Sequence, residues 1–390
     1  MDRPWWQGWV ARLSNAKRGT QGGRKYARLS LRRLEDRRVL NAAAVVAPPS
    51  VTVTEDAKGA VVINAAPADD SPDVFSIVRE EVDGKDFLQV SFNGAVVFSQ
   101  ELDQVASVTI KGSGDQETLV VDFGDGNPIP VGGINFAGAT DGSVSAAPDS
   151  ILFVNGSVDS VAYSLAGSTD GQISLTTGST TSTVEYSGNV QTITDSLTAA
   201  TRTFTVGGTI ADVGLSAGNA AGMSQLAIGG GTQVTFADPT QSLALDDTTT
   251  SGLAIAVNGL DSGFQADLTI AGGQASQVQF LGATSIGTGN LQVTGGSVTV
   301  DAEVGSLGGA IEISAYEKVL VSPAGALSSP GAAIDVSAPS IEIDGKIAAV
   351  NGGSIRLDAG SNGTLLVSGR VDASSSADGL IGGSVELLGA

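Results

Sequence analysis

The chain has 390 residues, 41% of them apolar, with 53 glycines against three tryptophans, four tyrosines and two methionines; this is poor material for several aromatic-centred cores and suits a repeat array. It contains no Cys and no His, which removes thiol nucleophiles, disulfides, imidazole bases and most zinc or copper sites, and leaves no disulfide from which to read a redox compartment. The net charge of −21 divides into +8 over residues 1–40 and −29 over the rest, so the body repels nucleic-acid phosphates and favours cations and cationic polymers.

Residues 1–47 hold all three tryptophans, in Trp5-Trp6-Gln7-Gly8-Trp9, followed by a basic stretch that ends in Leu34-Glu35-Asp36-Arg37-Arg38-Val39-Leu40-Asn41-Ala42. The apolar run after the arginines, Ala42 to Ala47, is too short for the core of an ordinary secretory signal, and no run reaches transmembrane length. The segment Leu34 to Leu40 resembles the LEPR-XLL-like motif of the very large surface proteins of planctomycete-type bacteria, with Asp36 in place of Pro and Val39 in place of the first Leu. That resemblance implies an export role for Leu34, Glu35, Asp36, Arg37, Arg38, Val39 and Leu40 and makes the export machinery a partner. The leader is expected to be disordered or partly helical and to add nothing to the fold. The alternative is a disordered arm that binds anions or nucleic acid.

From Pro48 to Val300 strand follows strand, with turn signals between them and no long amphipathic helix. Asp83-Gly84 and Asn93-Gly94 separate Val74–Val82, Phe87–Phe92 and Ala95–Phe98, which predicts an antiparallel meander. Val108–Ile110 leads to Leu119–Val121 on the same plan as Leu268–Ile270 leads to Val278–Phe280, as diverged copies of one β module would. Breaks are expected at Phe123–Pro130, Ala137–Ser150 and the small-residue stretch Gly214–Gly222. Between the first pair, Gly112 to Leu119 has a loose likeness to a calcium-binding Gly-Asp nonapeptide, but its spacing departs and it does not recur in tandem. A plain turn is the expectation there, as it is for Asp122 and Asp125, with calcium as the one cofactor the pattern admits.

The last ninety residues repeat. Gly308-Gly309-Ala310-Ile311, Gly331-Ala332-Ala333-Ile334, Gly352-Gly353-Ser354-Ile355 and Gly382-Gly383-Ser384-Val385 each open an alternating run. Ile311/Ile313, Ile334/Val336, Ile355/Leu357 and Val385/Leu387 sit two apart and so share the inward face, while Glu312, Asp335, Arg356 and Glu386 face out. A second strand follows each of the first three, and the Gly after the polar residue (Gly345, Gly369) is expected to turn a corner with positive φ. Gly295 to Ala390 resembles the glycine-rich repeats of filamentous-haemagglutinin-type adhesins, which implies a parallel β-helix and work in adhesion or scaffolding. The fold expected is therefore all-β: antiparallel β modules leading into a right-handed parallel β-helix, a solenoid. The divisions are 1–47 leader, 48–135 β-meander module, 136–294 β-strand repeat region and 295–390 β-helix.

Carboxylates are the only acid–base groups left for an enzyme. The adjacent pairs Asp69-Asp70 and Asp246-Asp247 would face opposite ways on a strand, and residues 204–317 contain no Lys or Arg to hold an anionic substrate. Gly214-Leu215-Ser216-Ala217-Gly218 spells a nucleophile elbow but has no histidine to serve it, and a small-residue loop is the expectation. No catalytic, cofactor-binding or metal-binding residue is assigned. The expected function is a non-enzymatic exported cell-surface protein, an adhesin or an envelope or matrix scaffold. It would be extracellular or on the cell surface, with surface or matrix polymers as partners and no nucleic acid. Self-association is expected through the C-terminal edge, because the repeats run to Ala390 without a polar cap. The rival within enzymes is a β-helix polysaccharide-degrading protein.

Overall fold

The computed structural model describes residues 51–65, 71–138, 148–375 and 382–389; the Leu34–Leu40 motif and Asp69-Asp70 lie outside them. The described residues form thirty-three strands and one short 3-10 turn, Leu102–Gln104, and no helix among them is long and apolar enough to cross a membrane. The fold is all-β, with a 28-stranded mixed sheet and a second sheet of five strands.

Two ladders run through the large sheet. One passes in parallel register from Ala60–Ala65 through Ser107–Lys111 and Ile134–Ala137 to Thr180–Ser187. It then crosses an antiparallel meander, Ser157–Leu165, Gly171–Thr177 and Thr180–Ser187. From Ser157–Leu165 it continues in parallel through Thr198–Val206, Ser242–Asp247 and Asp267–Ala271 to the strands of the C-terminal repeats. The other begins at Asp73–Val82, passes in parallel through Glu117–Asp122, Asp149–Val154, Val190–Asp195 and Gln233–Ala237, and crosses its own antiparallel meander of Asp212–Ala217, Met223–Ile228 and Gln233–Ala237. Strand Ile134–Ala137 spans residues 135/136 and strand Leu291–Val300 spans 294/295, so hydrogen-bonded sheet is continuous across both of those positions.

The antiparallel expectation for Val74–Phe98 holds for the hairpins Asp73–Val82, Lys85–Phe92 and Ala95–Glu101. Both residues of each turn have positive φ, Asp83 54° and Gly84 76°, Asn93 48° and Gly94 78°, which matches the right-handed twist of the flanking strands. The strand that anchors the meander, however, also pairs in parallel with Glu117–Asp122. This part of the chain is therefore mixed rather than purely antiparallel. The stretch Gly214–Gly222 is not a loop throughout: Asp212–Ala217 is a strand, and only the residues before Met223 turn.

In the C-terminal repeats Ile311, Ile334, Ile355 and Val385 stand in one register column, and Ile313, Val336, Leu357 and Leu387 in the next. The first three members of each column are buried, whereas Val385 and Leu387 are 45% and 51% exposed. Each fully buried Ile, Leu or Val contributes roughly 1.5–3 kcal/mol by leaving water, so the alternation itself selects the face. The second strands divide at their glycines: Ser340–Ile343 and Thr364–Val367 join the large sheet, while Lys346–Ala348 and Arg370–Asp372 join the five-stranded sheet. Gly345 and Gly369 do make these corners, but neither has positive φ. The requirement is close approach instead, since a Cβ on Gly369 would lie 2.0 Å from the Gly345 carbonyl oxygen, and one on Gly345 2.2 Å from that of Gly325.

Candidate metal centre

An acidic cluster stands at the head of the second ladder. Strands Asp73–Val82, Glu117–Asp122 and Asp149–Val154 each place an acid two residues before an inward apolar pair: Asp73 before Phe75/Ile77, Glu117 before Leu119/Val121, Asp149 before Ile151/Phe153. Asp73 and Glu117 are register partners, and the Glu117 N–H donates to Asp149 Oδ1 at 2.9 Å. Neighbouring strands are about 4.8 Å apart, so the three carboxyl groups stack along the ladder on the face that elsewhere is filled by Phe, Ile and Val. Glu117 and Asp149 are fully buried, and Asp73 is half-buried.

The loop between Ser107–Lys111 and Glu117–Asp122 brings a fourth acid and a hydroxyl. Asp115 and Ser113 are both buried, and one carboxylate oxygen from each of Asp73, Asp115 and Glu117 lies within 4.8 Å of the other two. Glu117 Oε1 accepts from the Ser113 N–H at 2.5 Å and from Ser113 Oγ at 2.7 Å, and the same hydroxyl contacts Asp115 Oδ1. A single hydroxyl proton therefore faces two carboxylates. Glu117 Oε2 is buried, and no N–H or hydroxyl donates to it. Burial pushes the Glu117 carboxyl up to about 8; the Ser113 hydrogen bonds pull it the other way, and close approach of the Asp149 carboxyl, through a shared hydrogen bond and then through its charge, adds to the rise.

Glycine makes the seat. A Cβ on Gly112 would meet Glu117 Oε2 at 2.8 Å, and one on Gly138 would meet Asp149 Oδ2 at 2.0 Å. Of these residues the sequence pattern singled out only the Gly112–Leu119 segment. Asp73 and Asp149 were missed, although an acid in phase with the inward pairs on three strands is a signal that binary patterning carries. The plain turn expected at Gly112–Leu119 is instead a buried corner whose two acids join those of neighbouring strands.

The other sequence candidates are held in structural roles. Burial pushes the Asp247 carboxyl up, but hydrogen bonds from the Ser276 hydroxyl, the Thr249 N–H and the Gly273 N–H outweigh it and hold it below the usual range. Asp246, the next residue, is raised by burial alone. Asp122 Oδ1 accepts from the Gly124 N–H at 2.8 Å and Oδ2 from Asn155 Nδ2 at 3.1 Å, which makes it the cap of a turn. Ser216 lies mid-strand in Asp212–Ala217, opposite Gln225 on the antiparallel neighbour, and not on a strand-to-helix elbow.

A second buried polar group has no counterpart among the sequence candidates. Arg202 is fully buried; it donates through Nη1 to Asp195 Oδ2 and, at 3.3 Å, to the Tyr163 hydroxyl, through Nε to the Ala237 carbonyl at 2.8 Å and through Nη2 to the Leu197 carbonyl at 2.5 Å. Tyr163 in turn donates to Asp195 Oδ2 at 2.5 Å. Burial, and after it the Asp195 charge, hold the phenol well above its ordinary pKa. With every atom of the ion pair sealed from solvent, this group joins strands and offers nothing to a ligand. No protein-family model, curated protein or solved structure matches the chain.

Proposed function

We propose that the chain is a non-enzymatic exported surface protein, an adhesin or an envelope or matrix scaffold, built on a right-handed parallel β-helix. The observation that carries the proposal is the pairing of the C-terminal repeats. Ile334–Ser337, Ser340–Ile343 and Lys346–Ala348 each pair in parallel with the corresponding strand of the repeat before, and Ile355–Asp358, Thr364–Val367 and Arg370–Asp372 pair with them in turn. One strand per repeat in each of three ladders is what stacked coils of a β-helix need. The faces left outward are acidic and hydroxyl-rich, with Glu312, Glu342 and Glu386 on them, and they suit solvated or cationic polymers better than anionic ones.

Export rests on the Leu34–Leu40 resemblance, with residues 1–47 engaging the export machinery. Leu366, Val367, Val385 and Leu387, all exposed on Thr364–Val367 and Val385–Leu388, support contact between copies through those strands. The test is to incubate the purified chain with insoluble polycationic and neutral matrix polysaccharides. Co-sedimentation with the polycation that weakens with salt, without release of reducing ends, is expected. Catalytic release of reducing ends from any of the polymers would overturn the non-enzymatic assignment.

A further inference from the structure

We propose that Asp73, Asp115 and Glu117 form a binding site for one calcium-class divalent cation, clamped between adjacent strands of the second ladder. Glu117 is completely buried, and its Oε2 has no hydrogen-bond donor, although a buried carboxylate oxygen ordinarily has a partner. Three carboxylate oxygens lie within 4.8 Å of one another, the span expected of ligands that share one ion at the 2.3–2.6 Å typical of calcium–oxygen bonds. Ser113 Oγ, already in contact with Asp115 and Glu117, adds a neutral oxygen beside them.

The chemistry of the donors selects the ion. Every candidate ligand is a hard oxygen, and the chain has neither Cys nor His, so soft and borderline metals have nothing to prefer here. Magnesium demands a near-ideal octahedron and keeps several waters, whereas a largely buried site crowded with carboxylates fits the larger, more tolerant calcium. Stacked like charges in a medium of low dielectric repel strongly, and a divalent ion converts that repulsion into attraction. Because Asp73 comes from the strand before Glu117 in the ladder and Asp115 from the loop that enters Glu117's own strand, the ion would fix the head of the ladder and the Gly112–Gln116 corner together. Gly112 gives room for it, since any side chain there would press on Glu117.

Calorimetric titration of the chelator-treated full chain with CaCl2 tests this, with Asp73→Asn and Asp115→Asn as variants that keep side-chain shape and circular dichroism to confirm the β fold of each. One saturable calcium per chain is expected, with affinity at least tenfold weaker in both variants and, at equal calcium concentration, a Tm rise larger in the wild type than in either variant. Glu117→Gln serves as a third variant with the same expectation. Absence of saturable binding in the wild type, or unchanged affinity in folded Asp73→Asn and Asp115→Asn, would overturn the site and would mean that the cluster is held by shared protons instead.

Discussion

At the scale of single residues, the unusual feature is charge on the inward face. Arg202 occupies the register column between Val161 and Leu243, and Asp195 the column between Phe153 and Phe236. Removing one partner of a sealed ion pair strands the other, so Arg202→Met or Asp195→Asn is expected to cost about 3–5 kcal/mol. Replacing the whole group by apolar residues of similar size removes the desolvation cost as well as the attraction. The triple variant Tyr163→Phe/Asp195→Leu/Arg202→Leu should therefore be more stable than either single variant in denaturant unfolding. A triple variant less stable than both would show that the group does more than satisfy itself. Arg202 is hard to find from sequence because a lone arginine among threonines (Ala200-Thr201-Arg202-Thr203) looks like a solvated strand position. Its burial is set by Asp195 and Tyr163, seven and thirty-nine residues away. The carboxylates Asp73, Glu117 and Asp149 were more accessible to reasoning, since each is in phase with an apolar pair that was readable.

At the scale of elements, the alternation that assigns Ile355 inward and Arg356 outward leads to a direct comparison. Ile355 is 1% exposed, and Ile355→Asp buries an unpaired charge at a cost of several kcal/mol. Arg356 lies on a partly solvated face, 3.6 Å from Asp335, 2.5 Å from Asp358 and 3.6 Å from Glu386. Exposed pairs of this kind contribute about 0–1 kcal/mol each, so Arg356→Ala should lower stability by no more than about 1–2 kcal/mol. Thermal melts of the two variants with equal Tm would contradict the assignment of faces. The hairpins at Asp83-Gly84 and Asn93-Gly94 could be read because a type I′ turn is specified by two adjacent residues. The parallel partners could not. Val61 pairs with Val108 and Phe75 with Leu119, across stretches that contain a complete meander or loop, and no local pattern names a partner so far off. The corner glycines show the same division: their positions were visible, but the reason, contact with the backbone of the next repeat, exists only once repeats are stacked.

At the scale of the whole molecule, continuity and charge are what matter. Parallel pairing carries the inward columns from the Ile311 repeat to the Val385 repeat, so burial is shared between neighbouring repeats and no one of them need form a core alone. The body beyond residue 40 carries a net charge of −29, and acids such as Glu312 and Glu386 place part of it on exposed faces, which repel polyanions. On the function proposed above, the chain works outside the cell, with its export assigned to the basic leader with Leu34 to Leu40. The most direct measurement is therefore fractionation of cells that make tagged full-length protein and the same protein without residues 1–47, combined with protease treatment of intact cells. Full-length protein in the envelope or medium and open to protease, with the shortened form retained in the cytoplasm, is the expected result. Equal cytoplasmic retention of both forms would contradict the account.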